Sequence, residues 1–122
     1  MALKYSVDYY ERSNGSSPTR EAFAAFEKEP VELLDAMMAG IVKLEDAATH
    51  SGNLVEHVSS GLWCLSIRVK RRSARLFFTH LEGGQIMLMG GYTSDKKKIP
   101  SKQLRTAQSV LKEAINQRRT KC

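Results

Sequence analysis

Residues 61–92 read GLWCLSIRVKRRSARLFFTHLEGGQIMLMGGY, and here apolar residues recur at every second position. Trp63, Leu65, Ile67 and Val69 alternate with Cys64, Ser66 and Arg68, the pattern of a half-buried strand over Leu62–Val69. Lys70-Arg-Arg-Ser73 is a short connection. Ala74–Leu81 has apolar residues of both parities, which predicts a central strand covered on two faces. Glu82-Gly-Gly84 is a turn, and Gln85–Tyr92 closes a three-strand meander.

Between Pro18 and Ala48 the period is helical. Pro18 opens a helix with Ser17 as its N-cap, and Ala22, Phe23, Ala25 and Phe26 form its apolar stripe. Pro30 ends that helix and starts a second, in which Leu34, Met37, Ile41, Leu44 and Ala48 recur at helical spacing. Ser51-Gly-Asn53 ends the pair. Leu3–Tyr10 is a first strand, with Leu3, Tyr5, Val7 and Tyr9 on one parity. After the polar stretch Thr93–Ile99, Pro100 introduces a last helix carrying Leu104, Ala107, Leu111 and Ala114. The expected fold is α+β, ordered β-α-α-β-β-β-α. It has a curved, mainly antiparallel sheet with two N-terminal helices on one face and a C-terminal helix near them or extending away. The other face of the sheet is expected to be open and basic.

A chain of 122 residues fits one domain over 1–122. With 42% hydrophobic and 26% charged residues it is neither disordered nor membrane-embedded in composition. No apolar run reaches the ~18–20 residues of a bilayer span, and no signal-peptide pattern opens the chain. A cytoplasmic location without membrane contact follows as the expectation. Cys64 and Cys122 form no CxxC or zinc-type spacing, and His50, His57 and His80 lack i, i+4 spacing, so neither a metal nor a cofactor is expected. Met37, Met38, Met87 and Met89 sit at core spacing.

Charge is the strongest functional signal. Residues 1–60 hold ten acids and five Lys/Arg, net −5; residues 61–122 hold fourteen Lys/Arg and three acids, net +11. A sign change of that size predicts a polyanion-binding side. The cations are interleaved with apolar strands, so the basic face belongs to a folded body. Arg71, Arg72, Lys96, Lys97 and Lys98 are the expected phosphate-tracking residues.

The series Gly61-Leu-Trp-Cys-Leu-Ser-Ile67, Ala74-Arg-Leu-Phe-Phe78, Ile86–Tyr92 and Lys98-Ile-Pro100 resembles the phage-derived, HigB-like branch of the RelE/ParE toxin superfamily. The likeness spans roughly residues 55–115. It implies the toxin of a type II toxin–antitoxin pair, a ribosome-dependent and metal-independent mRNA endonuclease. Its implied partners are the ribosome, mRNA and a cognate antitoxin, often a helix-turn-helix protein. Arg75, an aromatic at Tyr92, Lys98 and Pro100 keep the family pattern. Cys64 and Ser66 stand where the family has Glu and Arg, Gly90 replaces a frequent His, and Ser94-Asp95 replace the first Lys-Lys pair.

Under that resemblance Arg75 is expected to present a bidentate fork to phosphate at the sheet rim. The alternative is a tether to a carboxylate of the acidic half. Arg68 and Lys70 share the parity of Ser66 and are expected to return positive charge to that face. Tyr92 is expected to stack on a base or to handle a proton with a pKa lowered by cations, or else to cap the core. The expected catalytic set is thus Arg68, Lys70, Arg75 and Tyr92. Trp63 and His80 read as core residues. Two rivals stay open: a ParE-like gyrase poison, and a non-enzymatic phage or prophage module that binds RNA or a host protein.

Overall fold

The structure, a computed structural model, describes residues 5–46 and 54–120, with side chains through Arg118. Its elements are β1 (Ser6–Tyr9), α1 (Pro18–Phe26), α2 (Val31–Leu44), β2 (Val55–Ser59), β3 (Leu62–Val69), β4 (Arg72–Leu81), β5 (Gln85–Ser94) and α3 (Ser101–Thr120). The five strands form one sheet in the order β1-β5-β4-β3-β2. All pairings are antiparallel except β1 with β5, so β1 enters as a parallel edge strand.

The meander and three helices appear where their periodicities place them, and β4 is central. Val55–Ser59 is an additional strand. Its polar, half-exposed sequence VEHVS has no strong alternation, and pairing with β3 supplies what local preference lacks. Arg72 and Ser73 belong to β4, because Val69 pairs with Arg72 and Arg68 with Ser73. The turn is thereby reduced to Lys70-Arg71, with Lys70 at φ 57. Leu3, Lys4, Ala48, His50, 51–53 and Cys122 lie outside the described residues.

Ser17 caps α1 through its Oγ, which accepts the Arg20 N–H at 3.2 Å. Phe26, Leu33, Met37 and Leu44 then pack on Leu65, Leu76, Phe78 and Ile86 in a first core. Full burial of one such side chain is worth about 1.5–3 kcal/mol. Gly40 allows the close approach: a Cβ there would lie 3.2 Å from Ile67 Cδ1. Trp63 packs at the edge of this core beside His57, Phe78 and His80, with centroids 4.8, 6.5 and 4.6 Å away.

The opposite face is not open. Leu62, Cys64, Phe77, Met87, Met89 and Tyr92 pack against Ala107, Val110, Leu111 and Ala114 of α3 in a second core. The last helix therefore neither joins α1 and α2 nor extends from the body. Burial of the even-parity residues of β3 and their neighbours outweighs the solvation of α3. Polar ties add to it: the Tyr10 hydroxyl lies 2.9 Å from Glu113 Oε1 and 2.8 Å from Gln117 Oε1, and Arg12 Nε donates to Glu113 at 2.7 Å. Burial is the main reason the Tyr10 phenol is raised in pKa, and the Arg12 hydrogen bond holds Glu113 below the usual carboxylate range.

Candidate nucleic-acid interface

Strand register assembles the site. Ser66 of β3 lies opposite Arg75 of β4, and Arg75 opposite Tyr92 of β5, so three residues distant in sequence form one row on the α3 face. The next row outward is Arg68, Ser73 and Ser94. Just beyond it the chain leaves β5 as the exposed loop 95–98.

Arg75 does not present its fork to solvent; it is 6% exposed. Nη1 donates to the Tyr92 hydroxyl at 3.3 Å and to the Lys96 carbonyl at 3.3 Å, and Nη2 donates to the Lys97 carbonyl. Nε is buried with no partner among the described residues. Arg68 adds a second grip: Nη1 donates to Ser73 Oγ at 2.8 Å and Nη2 approaches the Asp95 carbonyl at 3.4 Å. Two guanidiniums from neighbouring strands thus hold three consecutive carbonyls. The side chains of Lys96, Lys97 and Lys98 stay exposed.

Tyr92 is 8% exposed and packs on Phe77, with centroids 6.1 Å apart. Burial pushes its phenol above the ordinary value, and the pull of Arg75 in the other direction is smaller. The lowering expected from nearby cations is therefore reversed, because desolvation of a phenolate costs more than one guanidinium returns. Cys64 is fully buried, and burial pushes its thiol up to about 11. Its Sγ lies 3.6 Å from Ser66 Oγ.

The other basic candidates separate. Lys70 and Arg71 are exposed on the β3–β4 turn, at the same end of the sheet as Lys96–Lys98, since Ser73 pairs with Ser94. Arg72 is engaged elsewhere. Its Nε and Nη2 donate to Glu29 Oε1 and Oε2 at 2.8 and 2.6 Å. The Arg72 hydrogen bond holds Glu29 below the usual carboxylate range. A tether to an acidic-half carboxylate does exist, but Arg72 makes it and Arg75 does not. Arg68, Lys70, Arg71 and Lys96–Lys98 remain together at one corner.

Glycines shape the floor beside this row. Leu76 pairs with Gly91 and Phe78 with Leu88, so Met89 and Gly90 together face Phe77 in a bulge. Gly90 sits at φ +110, and a Cβ there would come 2.9 Å from Pro18 Cβ. A histidine at this position has no room. A Cβ on Gly91 would meet the Arg75 carbonyl oxygen at 2.0 Å. Alongside lies a cleft of about 370 Å³ between α1 and α3, lined by Glu21, Gly90, Tyr92, Gln103 and Thr106 among others.

Sequence reasoning missed Glu29 as the Arg72 partner, Ser73 as the Arg68 acceptor, and the loop carbonyls as the occupants of Arg75. Parity alone could have put Ser66, Arg68 and Arg75 on a common face; nothing in the sequence signals the carbonyls.

A mixed sheet with two helices on one face, a third on the other and a basic corner defines a small α+β domain. The family described as phage derived protein Gp49-like (DUF891) matches residues 24–112, and the chain belongs to that family. The family is associated with RelE-like toxins. No curated protein matches the chain significantly. Among the described residues no helix is long and apolar enough to cross a membrane.

Proposed function

We propose that this protein is the toxin of a type II toxin–antitoxin pair and acts on mRNA held by the ribosome. The observation that carries the proposal is the clamped loop. Arg68 and Arg75 fix the backbone of 95–97, so Lys96, Lys97 and Lys98 are offered from a set position beside Lys70 and Arg71. Preorganised cations bind a phosphate backbone with less ordering cost than a free tail. An antitoxin, expected to be a helix-turn-helix protein, holds the activity in check.

Cleavage under this proposal uses the RNA 2′-hydroxyl as nucleophile, without a metal. It attacks the adjacent phosphorus and gives its proton to water, the 5′-oxygen leaves with a proton taken from water, and a 2′,3′-cyclic phosphate remains. Arg68 and Lys70 neutralise the phosphoryl oxygens. Arg75 reaches phosphate only when the loop carbonyls leave its fork, and Tyr92 orients Arg75 through its hydroxyl.

A second function is favoured by a specific observation: loop carbonyls fill the Arg75 fork, and Tyr92 is buried against Phe77 with burial shifting its phenol further from ionisation. It is a module that binds RNA without cutting it. Inducible expression in a bacterial host with mRNA 5′-end mapping separates the possibilities. Growth arrest with cuts in phase with codons supports cleavage; arrest or tight ribosome binding with intact mRNA assigns the binding module. Arrest with DNA damage and intact mRNA assigns a gyrase poison and rejects the RNA proposal.

A further inference from the structure

Helix α2, VELLDAMMAGIVKL, is apolar almost all round, a pattern that belongs to helices covered on every side. The sheet covers only one side, through Leu33, Met37, Gly40 and Leu44. On the far side Val31, Met38 and Val42 are 63%, 49% and 63% exposed. At 3.6 residues per turn these three fall within about 40° of one another along about 16 Å of axis, with the exposed carboxylate of Asp35 on the same stripe between Val31 and Met38. Met38 is thus a surface residue, in contrast to the core position its spacing predicts. Isolated exposed apolar side chains are ordinary, but three aligned on one helix are not.

Charge narrows the occupant. Residues 21–46 contain seven acids and two lysines. Glu29 is occupied by Arg72, whereas Glu32, Asp35 and Glu45, all exposed, fall on or beside the stripe of Val31, Met38 and Val42. Nucleic acid and anionic bilayers are repelled by such a surface. Two copies meeting through it would bring together two surfaces of the same net negative charge. A straight ridge on one helix is complementary to the groove of another helix.

We propose that the outer face of α2 is the docking surface for an amphipathic helix of another protein, one whose apolar ridge is flanked by Lys and Arg. The proposal goes beyond the RNA function and shares no residue with it, because α2 and the Arg75–Tyr92 row lie on opposite faces of the sheet.

The test uses the full chain and two synthetic helical peptides of about three heptads with the same leucine ridge, one flanked by Lys and one by Glu. Backbone amide shifts on titration should change in α2 and its neighbours, with the Lys peptide bound at least about tenfold more tightly than the Glu peptide. Val31→Ser with Val42→Ser should weaken the Lys peptide by about tenfold or more at unchanged Tm. Asp35→Lys, which keeps the ridge and reverses a charge, should narrow the difference between the peptides. Absence of binding, equal binding of both peptides, or shifts confined to α3 would overturn the proposal. A concentration-dependent dimer abolished by Val42→Ser would overturn it in favour of a second copy.

Discussion

Arg75 Nη1 lies 3.3 Å from the hydroxyl of Tyr92, its register partner on the adjacent strand, and at the same distance from the Lys96 carbonyl. The arginine therefore couples the end of the sheet to the most basic loop of the chain. A lysine in its place would bring one point donor where a planar fork now reaches three acceptors.

Arg75→Ala should lower stability by about 2 kcal/mol, a fall in Tm of roughly 5–10 °C, since charged hydrogen bonds and packing on Tyr92 are lost together. Arg75→Lys should recover only part of it. Thermal unfolding measures both, and hydrogen exchange at 95–98 should rise in each variant. An unchanged Tm with unchanged exchange would mean that the loop is not held by Arg75.

Replacing Lys96, Lys97 and Lys98 together by Ala should leave Tm nearly unchanged, because all three side chains are exposed. If about five cations contact single-stranded RNA, the log–log salt slope starts near −3.5, and the triple variant should bring it to about −1.5. Arg72→Ala should not alter the slope, since that side chain is committed to Glu29.

Gly90→Ala should cost about 1–2 kcal/mol for the positive φ alone, and Gly90→His more, because Pro18 occupies the space. Soluble yield and Tm report this. A Gly90→His variant as stable as the parent would show that the bulge is not needed.

Glu29 and Glu113 both have carboxyl pKa values lowered by arginine hydrogen bonds. Their folded-state values lie below the unfolded one of about 4.3, so the stability they contribute is present above that pH and is lost as pH falls through the lowered values. Glu29→Gln and Glu113→Gln should each lower Tm at neutral pH, with the difference from the parent shrinking in acid. A difference that grows in acid would contradict the assignment.

With its thiol pushed up to about 11 and its side chain fully buried, Cys64 should resist alkylation at pH 8 in the folded protein. Peptide mapping should find it modified only after denaturant is added. Rapid labelling of the native protein would show that the second core opens beneath α3.

The sequence by itself determined the elements that carry a strong local signal. Alternation at Trp63–Val69, doubled apolarity at Phe77 and Phe78, and the Ser17-Pro18 start gave the meander, its central strand and the first helix. Those signals survive because side-chain direction repeats with the backbone period and needs no partner to be read. Tertiary structure alone decided the rest. Strand β2 exists because β3 pairs with it, and α3 crosses to the second face because Cys64, Phe77 and Met89 need cover there. The bulge at Met89-Gly90 sets the register that brings Arg75 to Tyr92, and the Arg75 fork turns inward to carbonyls 21 and 22 residues away. Such pairings depend on which surfaces meet after the chain has closed, and residue type and spacing do not record that.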